Sequence, residues 1–359
     1  MGAWLRIPVL AAESLLAASG NRRYRQRPED YARFLGPGGL EAARRECLAA
    51  SRDLAAYMNP GPARMPDGLS VRRIPRRRGH AVGIAFDSPC PVGDPVNDRV
   101  HARLLLPAGG EPADRVVVFH HAIRHDRWRF WERFVTPLAS RVPVAILAGP
   151  HHFERRRPDE LAGQALCNGN PARLYQGVRQ WCADQQALSV VLEREFGLPT
   201  CAVAGFSLGA FQTLLVASLG FLPRVPIVSI ASTCCYSWGL LRGWIGPPIL
   251  EALRGLGIDD RELVRLTGAL DLARHATALR DRDVLLIQGR WDPVDPAPSP
   301  ERLREAIRPR RCVVLDAGHG TLVLRRRAIH RAMFEFLREC GALGRRAASP
   351  AGYRTAAAS

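Results

Sequence analysis

Short apolar runs alternate with longer amphipathic segments from about residue 80 to residue 340. Two runs, 80–87 and 99–106, alternate apolar with polar residues, as an antiparallel opening pair of strands would. Uninterrupted apolar runs predict buried strands; they cover 115–119, 143–147, 225–232, 284–289 and 312–315. Amphipathic spacing predicts helices over 128–140, 174–196 and 321–340. This alternation predicts an α/β fold with a mostly parallel central sheet and helices on both faces.

The pattern also divides the chain into segments. Residues 1–79 form a helical, basic appendage: 38–57 has helical spacing, and the arginine run near 72–78 is expected to be a solvated loop. Residues 80–344 form the main domain, whose sheet we expect to begin after residue 80. The segment 236–270 is longer than a simple crossover between strands, which predicts a small inserted cap. The tail, 345–359, has the small and polar composition typical of disorder.

One stretch, CAVAGFSLGA at 201–210, organises the chain. A short apolar run leads into Gly-x-Ser-x-Gly, and a second apolar run follows to Leu219. Strand, sharp turn and helix are the context in which this motif presents a nucleophile, so we predict that Ser207 is one. The glycines on either side would let strand and helix pass closely. The alternative is a chance match in a glycine-rich chain.

A serine nucleophile needs a general base and an acid that orients the base. Asp292 follows the apolar run 284–289, and His319, between two glycines, follows 312–315 and precedes the closing helix. We predict these as the acid and the base, in the chain order Ser, Asp, His. Asp295 is a rival acid in the same loop, and Asp316 lies too close to His319 in sequence. The alternative for His319 is a histidine in a surface loop.

These motifs resemble the α/β-hydrolase superfamily over residues 80–340, with GRWDPVDP matching its acid loop and selecting Asp292. The segments HDRWRFW, ERRRP and SIAST resemble the abhydrolase domain-containing group numbered eighteen. The resemblance implies a serine hydrolase with an oxyanion hole made by the backbone N–H of Leu208 and a second donor. That donor would come from the loop 119–122, where we choose Ala122 although the usual glycines are replaced.

Composition changes the picture in two respects. The formal net charge is +17, and all 51 basic residues are arginine. This excess favours an anionic partner such as a membrane surface; otherwise it is a solubility feature of an arginine-rich proteome. Nucleic acid is not expected, because no recognition motif accompanies the charge. Nine scattered cysteines without a CxxC pair indicate a reducing compartment, so we expect a cytoplasmic protein, peripheral to a membrane if the charge serves one.

Three further features carry expectations. Glu13 interrupts the apolar N-terminal stretch, which favours a helix over a signal peptide. Five histidines fall in loops near the site (His120, His121, His125, His151 and His152), and we expect pocket lining rather than a metal site. Arg155–157 is read as a solvated face, with contact to an anionic substrate as the alternative.

We therefore expect a hydrolase of a carboxylic ester or thioester, on a small molecule or a lipid, without cofactor or metal. The alternatives are a peptidase or acyltransferase, or a catalytically silent binding protein on the same fold. The sequence leaves the oligomeric state open.

Overall fold

The computed structural model describes residues 3–25, 35, 38–75, 80–107, 113–167, 170–244 and 246–343. Nine strands in these residues form one sheet. The strands are β1 (Ser70–Ile74), β2 (His80–Asp87), β3 (Arg99–Leu106), β4 (Val116–His120), β5 (Val144–Leu147), β6 (Thr200–Phe206), β7 (Ile227–Ile230), β8 (Val284–Gly289) and β9 (Arg311–Leu315).

The order of the strands is β1-β2-β3-β5-β4-β6-β7-β8-β9. The first three strands and the β3–β5 pair are antiparallel, whereas every neighbouring pair from β5 to β9 is parallel. Parallel neighbours bring their carboxyl ends to one edge, where ligands of open α/β sheets bind. The loops after β4, β6, β8 and β9 therefore meet at that edge.

Helices cover both faces of this sheet. The helices of the described residues are α1 (Ala3–Tyr24), α2 (Gly39–Arg52), α3 (Leu54–Met58), α4 (Trp128–Ala139), α5 (Gln164–Cys167), α6 (Pro171–Phe196), α7 (Leu208–Ser218), α8 (Tyr236–Arg242), α9 (Pro247–Gly255), α10 (Asp260–Thr267), α11 (Ser299–Ile307) and α12 (Arg326–Glu339). Two apolar clusters separate the layers. One joins α6 and α7 to the sheet, and the other joins α4 and α12 to the opposite face. The predicted fold class is confirmed.

The sheet begins at Ser70, ten residues earlier than expected. The prediction that the arginine run 72–78 is a loop is therefore wrong for its first two arginines. Arg72 and Arg73 lie in β1, an edge strand paired with β2. Their side chains are exposed, as expected for a solvated segment, but their backbone pairs with β2. An edge strand exposed in this way lacks the apolar pattern that identifies a strand. The rest of the run, 76–78, lies outside the described residues.

Two predicted helices differ in detail. The helix expected over 38–57 is two helices, because Asp53 leaves the helical conformation and accepts a hydrogen bond from the Ala56 amide at 2.9 Å. The closing helix starts as a 3₁₀ helix, Thr321–Arg325, before α12.

The N-terminal segment packs closely against the rest of the chain. Cys47 of α2 and Met58 of α3 are fully buried in the same apolar cluster as α6. The proposed division at residue 79 remains a prediction, and the tail 345–359 lies outside the described residues. Of the helices in the described ranges, none has both the length and the apolarity that crossing a bilayer requires.

The segment 236–270 supplies helices α8, α9 and α10 between β7 and β8. It touches the loop after β8, because the Trp244 amide donates to the Pro293 carbonyl at 3.0 Å. Its role as a cap remains a prediction.

Candidate functional site

Ser207 stands at a sharp turn between β6 and α7. Its φ of 54° and ψ of −116° lie where residues other than glycine are rarely found. The turn is held by two backbone bonds: the Ser207 amide donates to the Ile230 carbonyl at 2.8 Å, and the Ser207 carbonyl accepts from Phe211 at 2.9 Å. Strained backbone of this kind persists only where the surroundings enforce it, and it clusters at functional sites.

The two glycines of the motif permit close backbone crossings. A Cβ on Gly205 would lie 2.4 Å from the Gly209 carbonyl oxygen, and a Cβ on Gly209 would lie 2.4 Å from the carbonyl oxygen of His120. Any larger residue would therefore collide with main chain at both positions. These contacts also press the loop after β4 against the first turn of α7.

The loops carrying Asp292 and His319 lie side by side because β8 and β9 are parallel neighbours. The Trp291 amide donates to the Ala317 carbonyl at 3.0 Å, which joins the two loops directly. Each side chain therefore leaves the sheet at the same edge as Ser207.

The three predicted residues form one chain of hydrogen bonds. His319 Nδ1 lies 2.7 Å from Asp292 Oδ2, and His319 Nε2 lies 2.8 Å from Ser207 Oγ. Because a carboxylate only accepts, Nδ1 carries the proton and Nε2 is free to accept one from the serine hydroxyl. Ser207 is 8% exposed, so the hydroxyl lies in a largely desolvated place.

Asp292 is also fixed by the backbone of its own loop. Its Oδ1 accepts from the amides of Val294 at 2.8 Å and Asp295 at 3.1 Å. The rival Asp295 accepts instead from the hydroxyls of Thr233 and Ser299. Burial raises the pKa of Asp295 to about 7, against these two hydrogen bonds.

Asp316, the other rival acid, pairs with Arg290 at 2.7 Å. Among the three carboxylates considered from the sequence, Asp292 is the one that accepts the hydrogen bond from His319 Nδ1–H.

The pKa of His319 is raised above 6.5. Burial alone would lower it, but the charge of Asp292 and its hydrogen bond outweigh burial, and Glu13 and Asp295 add to the effect. A raised pKa makes the imidazole a better proton acceptor from a hydroxyl. The arrangement can thus deprotonate Ser207 while the imidazolium is stabilised by nearby carboxylates.

The predicted oxyanion donors lie near this serine. Leu208 begins α7, so its N–H belongs to the first turn, where helical amides lack partners within the helix. Ala122 comes directly after His120 and His121, whose carbonyls lie against Gly209, and it is 7% exposed. The two donor assignments remain predictions.

Some of the histidines near the site are held in place by the backbone. His121 uses both ring nitrogens: Nδ1 donates to the Ala122 carbonyl at 2.7 Å, and Nε2 accepts from the Gly149 amide at 2.8 Å. Burial holds the pKa of His121 well below its usual value. Within the described ranges, no three His, Cys, Asp or Glu side chains are grouped to hold a metal ion.

The solvated-face reading of Arg155–157 is wrong for its first residue. Arg155 is fully buried and pairs at 2.7 Å with Asp184, which is equally buried. Arg155 also donates to the Asn97 and Ala148 carbonyls. Because three separate segments meet on this guanidinium, Arg155 braces the loop after β5. The local sequence around Arg155 gives no signal for this buried ion pair, because Asp184 lies far along the chain.

The position of Glu13 was also not predicted. This residue of α1 is 3% exposed and lies against the loop of His319. The only available signal was a single acid within an apolar stretch.

Comparison with known proteins bears on the fold. No protein-family model and no curated protein sequence matches this chain. Among solved structures, an acetyl xylan esterase from Paenibacillus sp. R4 is similar, with a TM-score of 0.61 and 17% identity over 81% of this chain and 93% of that chain.

Acetyl xylan esterase 1 from Thermoanaerobacterium sp. JW/SL YS485 is also similar, with a TM-score of 0.54 and 15% identity over 82% of this chain and 98% of that chain. The acylaminoacyl peptidase of Pyrococcus horikoshii has a TM-score of 0.55 and 12% identity, over 79% of this chain and 44% of that chain.

Identities this low are evidence for fold alone, since one fold carries many functions. The resemblance to the group numbered eighteen stays a prediction. The strand order, the helical layers and these similar structures identify the fold of the chain as the α/β-hydrolase fold.

Proposed function

We propose that this protein is a serine hydrolase that cleaves a carboxylic ester or thioester through an acyl-enzyme. The hydrogen-bonded chain Ser207–His319–Asp292, built on a strained turn, carries the proposal. The similar esterases are consistent with it.

The chemistry follows from the geometry. Ser207 Oγ attacks the carbonyl carbon while His319 Nε2 takes its proton. Asp292 holds the Nδ1–H tautomer and stabilises the imidazolium. The N–H groups of Leu208 and Ala122 would bind the oxyanion; one such donor is worth about 3 kcal/mol of barrier in related sites. The imidazolium then protonates the leaving group, and a water activated by His319 releases the acyl group.

A panel of substrates tests this proposal. It should contain p-nitrophenyl esters of rising chain length, an acetylated sugar, acyl-CoA, a phospholipid and an N-acylated peptide. Hydrolysis of esters or thioesters supports the proposal, and preferential cleavage of the peptide favours the peptidase alternative. A wild-type protein inert towards the whole panel would favour a silent binding protein.

The raised pKa of His319 predicts the pH dependence of the reaction. The neutral imidazole is the active form, so kcat/KM should fall as pH decreases through the pKa of His319, which lies above 6.5. The measurement is kcat/KM against pH for one ester, with product detected by chromatography because p-nitrophenol itself titrates. An acid limb centred well below 6.5 would contradict the assignment of His319 as the base.

We further propose that the substrate is presented by an anionic lipid surface. Four exposed apolar side chains lie on α1 and on the 3₁₀ helix after His319: Ile7 and Leu15 at 73%, Leu16 at 55% and Leu324 at 77%. α1 packs against this 3₁₀ helix, and exposed arginines lie along α1, at the end of the 3₁₀ helix and at the start of α12: Arg6, Arg22, Arg23, Arg325, Arg326 and Arg327. Apolar residues flanked by arginine are typical of surfaces that lie on anionic bilayers. A protein bound to a membrane through these side chains would hold its site at the cytoplasmic face of that membrane.

Vesicle co-sedimentation tests the lipid proposal. Binding to vesicles with anionic lipid should exceed binding to neutral vesicles, and it should weaken as salt rises, because each arginine near the surface contributes about 1 kcal/mol that salt screens. Leu15→Gln with Leu324→Gln should weaken binding, whereas Val71→Gln, an exposed apolar residue on β1, should not. Equal, negligible binding to both vesicle types would leave an esterase of soluble substrates.

A further inference from the structure

Glu13 links the N-terminal helix to the loop of His319, although the two residues are far apart in sequence. Glu13 Oε2 accepts from the Gly320 amide at 3.0 Å, and Oε1 accepts from the Thr321 amide at 2.6 Å. Both carboxylate oxygens are thus used on consecutive amides immediately after His319. Because these amides begin the 3₁₀ helix Thr321–Arg325, the carboxylate also interacts favourably with the positive end of that helix.

Side chains of α1 occupy the space beside the two glycines that flank His319. A Cβ on Gly318 would lie 2.5 Å from Glu13 Cγ and 2.6 Å from Cδ, and a Cβ on Gly320 would lie 2.9 Å from Leu16 Cδ1. Real Cβ atoms do not approach carbon this closely. A side chain at position 318 would therefore require Glu13 to shift, whereas Leu16 Cδ1, the end of an exposed flexible side chain, could move aside for one at position 320.

The amide that precedes His319 has its own partner, since Gly318 N–H donates to Thr321 Oγ1 at 2.9 Å. Glu13 and Thr321 together thus fix the backbone on both sides of His319. Loss of the bonds made by the Gly318 or Thr321 amide would leave a buried donor unsatisfied.

Helix α1 is anchored at its other end as well. Asn21 Nδ2 donates to the Trp244 carbonyl at 2.6 Å, and Tyr24 Oη donates to the Ala162 carbonyl at 2.7 Å. The helix also packs on α9. The position of Glu13 is therefore set by the docking of α1 on the segment 236–270 and on the loop after β5.

We propose that Glu13 is a positioning residue for His319, so that docked α1 completes the catalytic site. This inference rests on the proposed role of His319 as the general base. The carboxylate holds the loop at the distance from which Nε2 reaches Ser207 Oγ, and a displacement of about 1 Å in such a geometry can reduce the rate about 100-fold. Its charge also helps to raise the pKa of His319, together with Asp292 and Asp295.

Glu13→Gln tests the proposal with little change in size. The amide offers one acceptor and one donor, so its NH₂ group would face one of the two loop amides. We expect kcat/KM for an ester to fall at least tenfold, mainly through kcat, and the acid limb of the pH profile to move to lower pH. Asp292 and Asp295 face His319 in both proteins, so the difference isolates Glu13.

Two further variants sharpen the test. Glu41→Gln removes an equal charge from an exposed pair with Arg44 within α2, and it should behave as wild type. Glu13→Asp keeps the charge but has a shorter side chain. Relative to Glu13→Gln, it should return the acid limb of the pH profile towards that of the wild type more fully than it returns kcat. Thermal unfolding of each variant separates loss of fold from loss of positioning, and Glu13→Asp decides the question if Glu13→Gln does not fold.

The titration of the His319 imidazole by NMR, assigned with His319→Gln, gives a readout independent of turnover. A lower pKa for His319 in Glu13→Gln supports the proposal even if no substrate is found. An unchanged pKa and unchanged kcat in a folded Glu13→Gln protein would overturn it. A wild-type protein inert towards esters and fluorophosphonates would instead overturn the proposed function.

Discussion

Ser207→Ala is expected to lower kcat by about 10⁶-fold, the size of effect seen when the nucleophile of a serine protease is removed. The reason is that Ser207 Oγ is the group within hydrogen-bond reach of His319 Nε2, so alanine leaves the base without a hydroxyl to activate. The fold should persist, because Ser207 holds its turn through backbone bonds.

Ser218→Ala is the matched control. It lies at the other end of α7, where its hydroxyl donates to the Leu215 carbonyl, and it should retain full activity. Comparable loss in the two variants would show that the effect is structural, and activity retained by Ser207→Ala would assign the nucleophile to another residue.

Asp292→Asn is expected to lower kcat by about 10⁴-fold, as in the serine-protease case. The asparagine carbonyl can take over the bonds that Oδ1 accepts from Val294 and Asp295. Its NH₂ group would then face His319 Nδ1 and favour the tautomer whose Nε2 is protonated. That tautomer cannot accept the proton of Ser207.

Asp295→Asn is the control for this prediction. Its side chain accepts from Thr233 and Ser299, and an amide carbonyl can accept both bonds. We expect a change of only a few fold, with circular dichroism confirming that both variants are folded. If Asp295→Asn is the more damaging change, Asp295 rather than Asp292 orients the base.

The sequence could predict that Ser207, Asp292 and His319 come together because their signals are local. The apolar runs around Ser207 identify a strand–turn–helix, and Gly205 and Gly209 lie where main chain crosses main chain. The acid and the base each follow a buried strand, and parallel strands bring such positions to one edge. The fold class followed from the same alternation.

The features that the sequence did not predict depend on contacts between distant segments. β1 exposes its side chains at the edge of the sheet, so periodicity could not reveal it. Arg155 resembles part of a solvated run in sequence, because its partner Asp184 is distant along the chain and meets it only in the core. Glu13 carries no motif, and its role appears only when α1 docks on the loop of His319.

The most direct test of the account is to treat the native protein with a fluorophosphonate and map the modified peptide by mass spectrometry. We predict one adduct per chain, on Ser207, and none on Ser207→Ala. An adduct on a different serine, or a wild-type protein that stays unmodified, would contradict the assignment of Ser207 as the nucleophile.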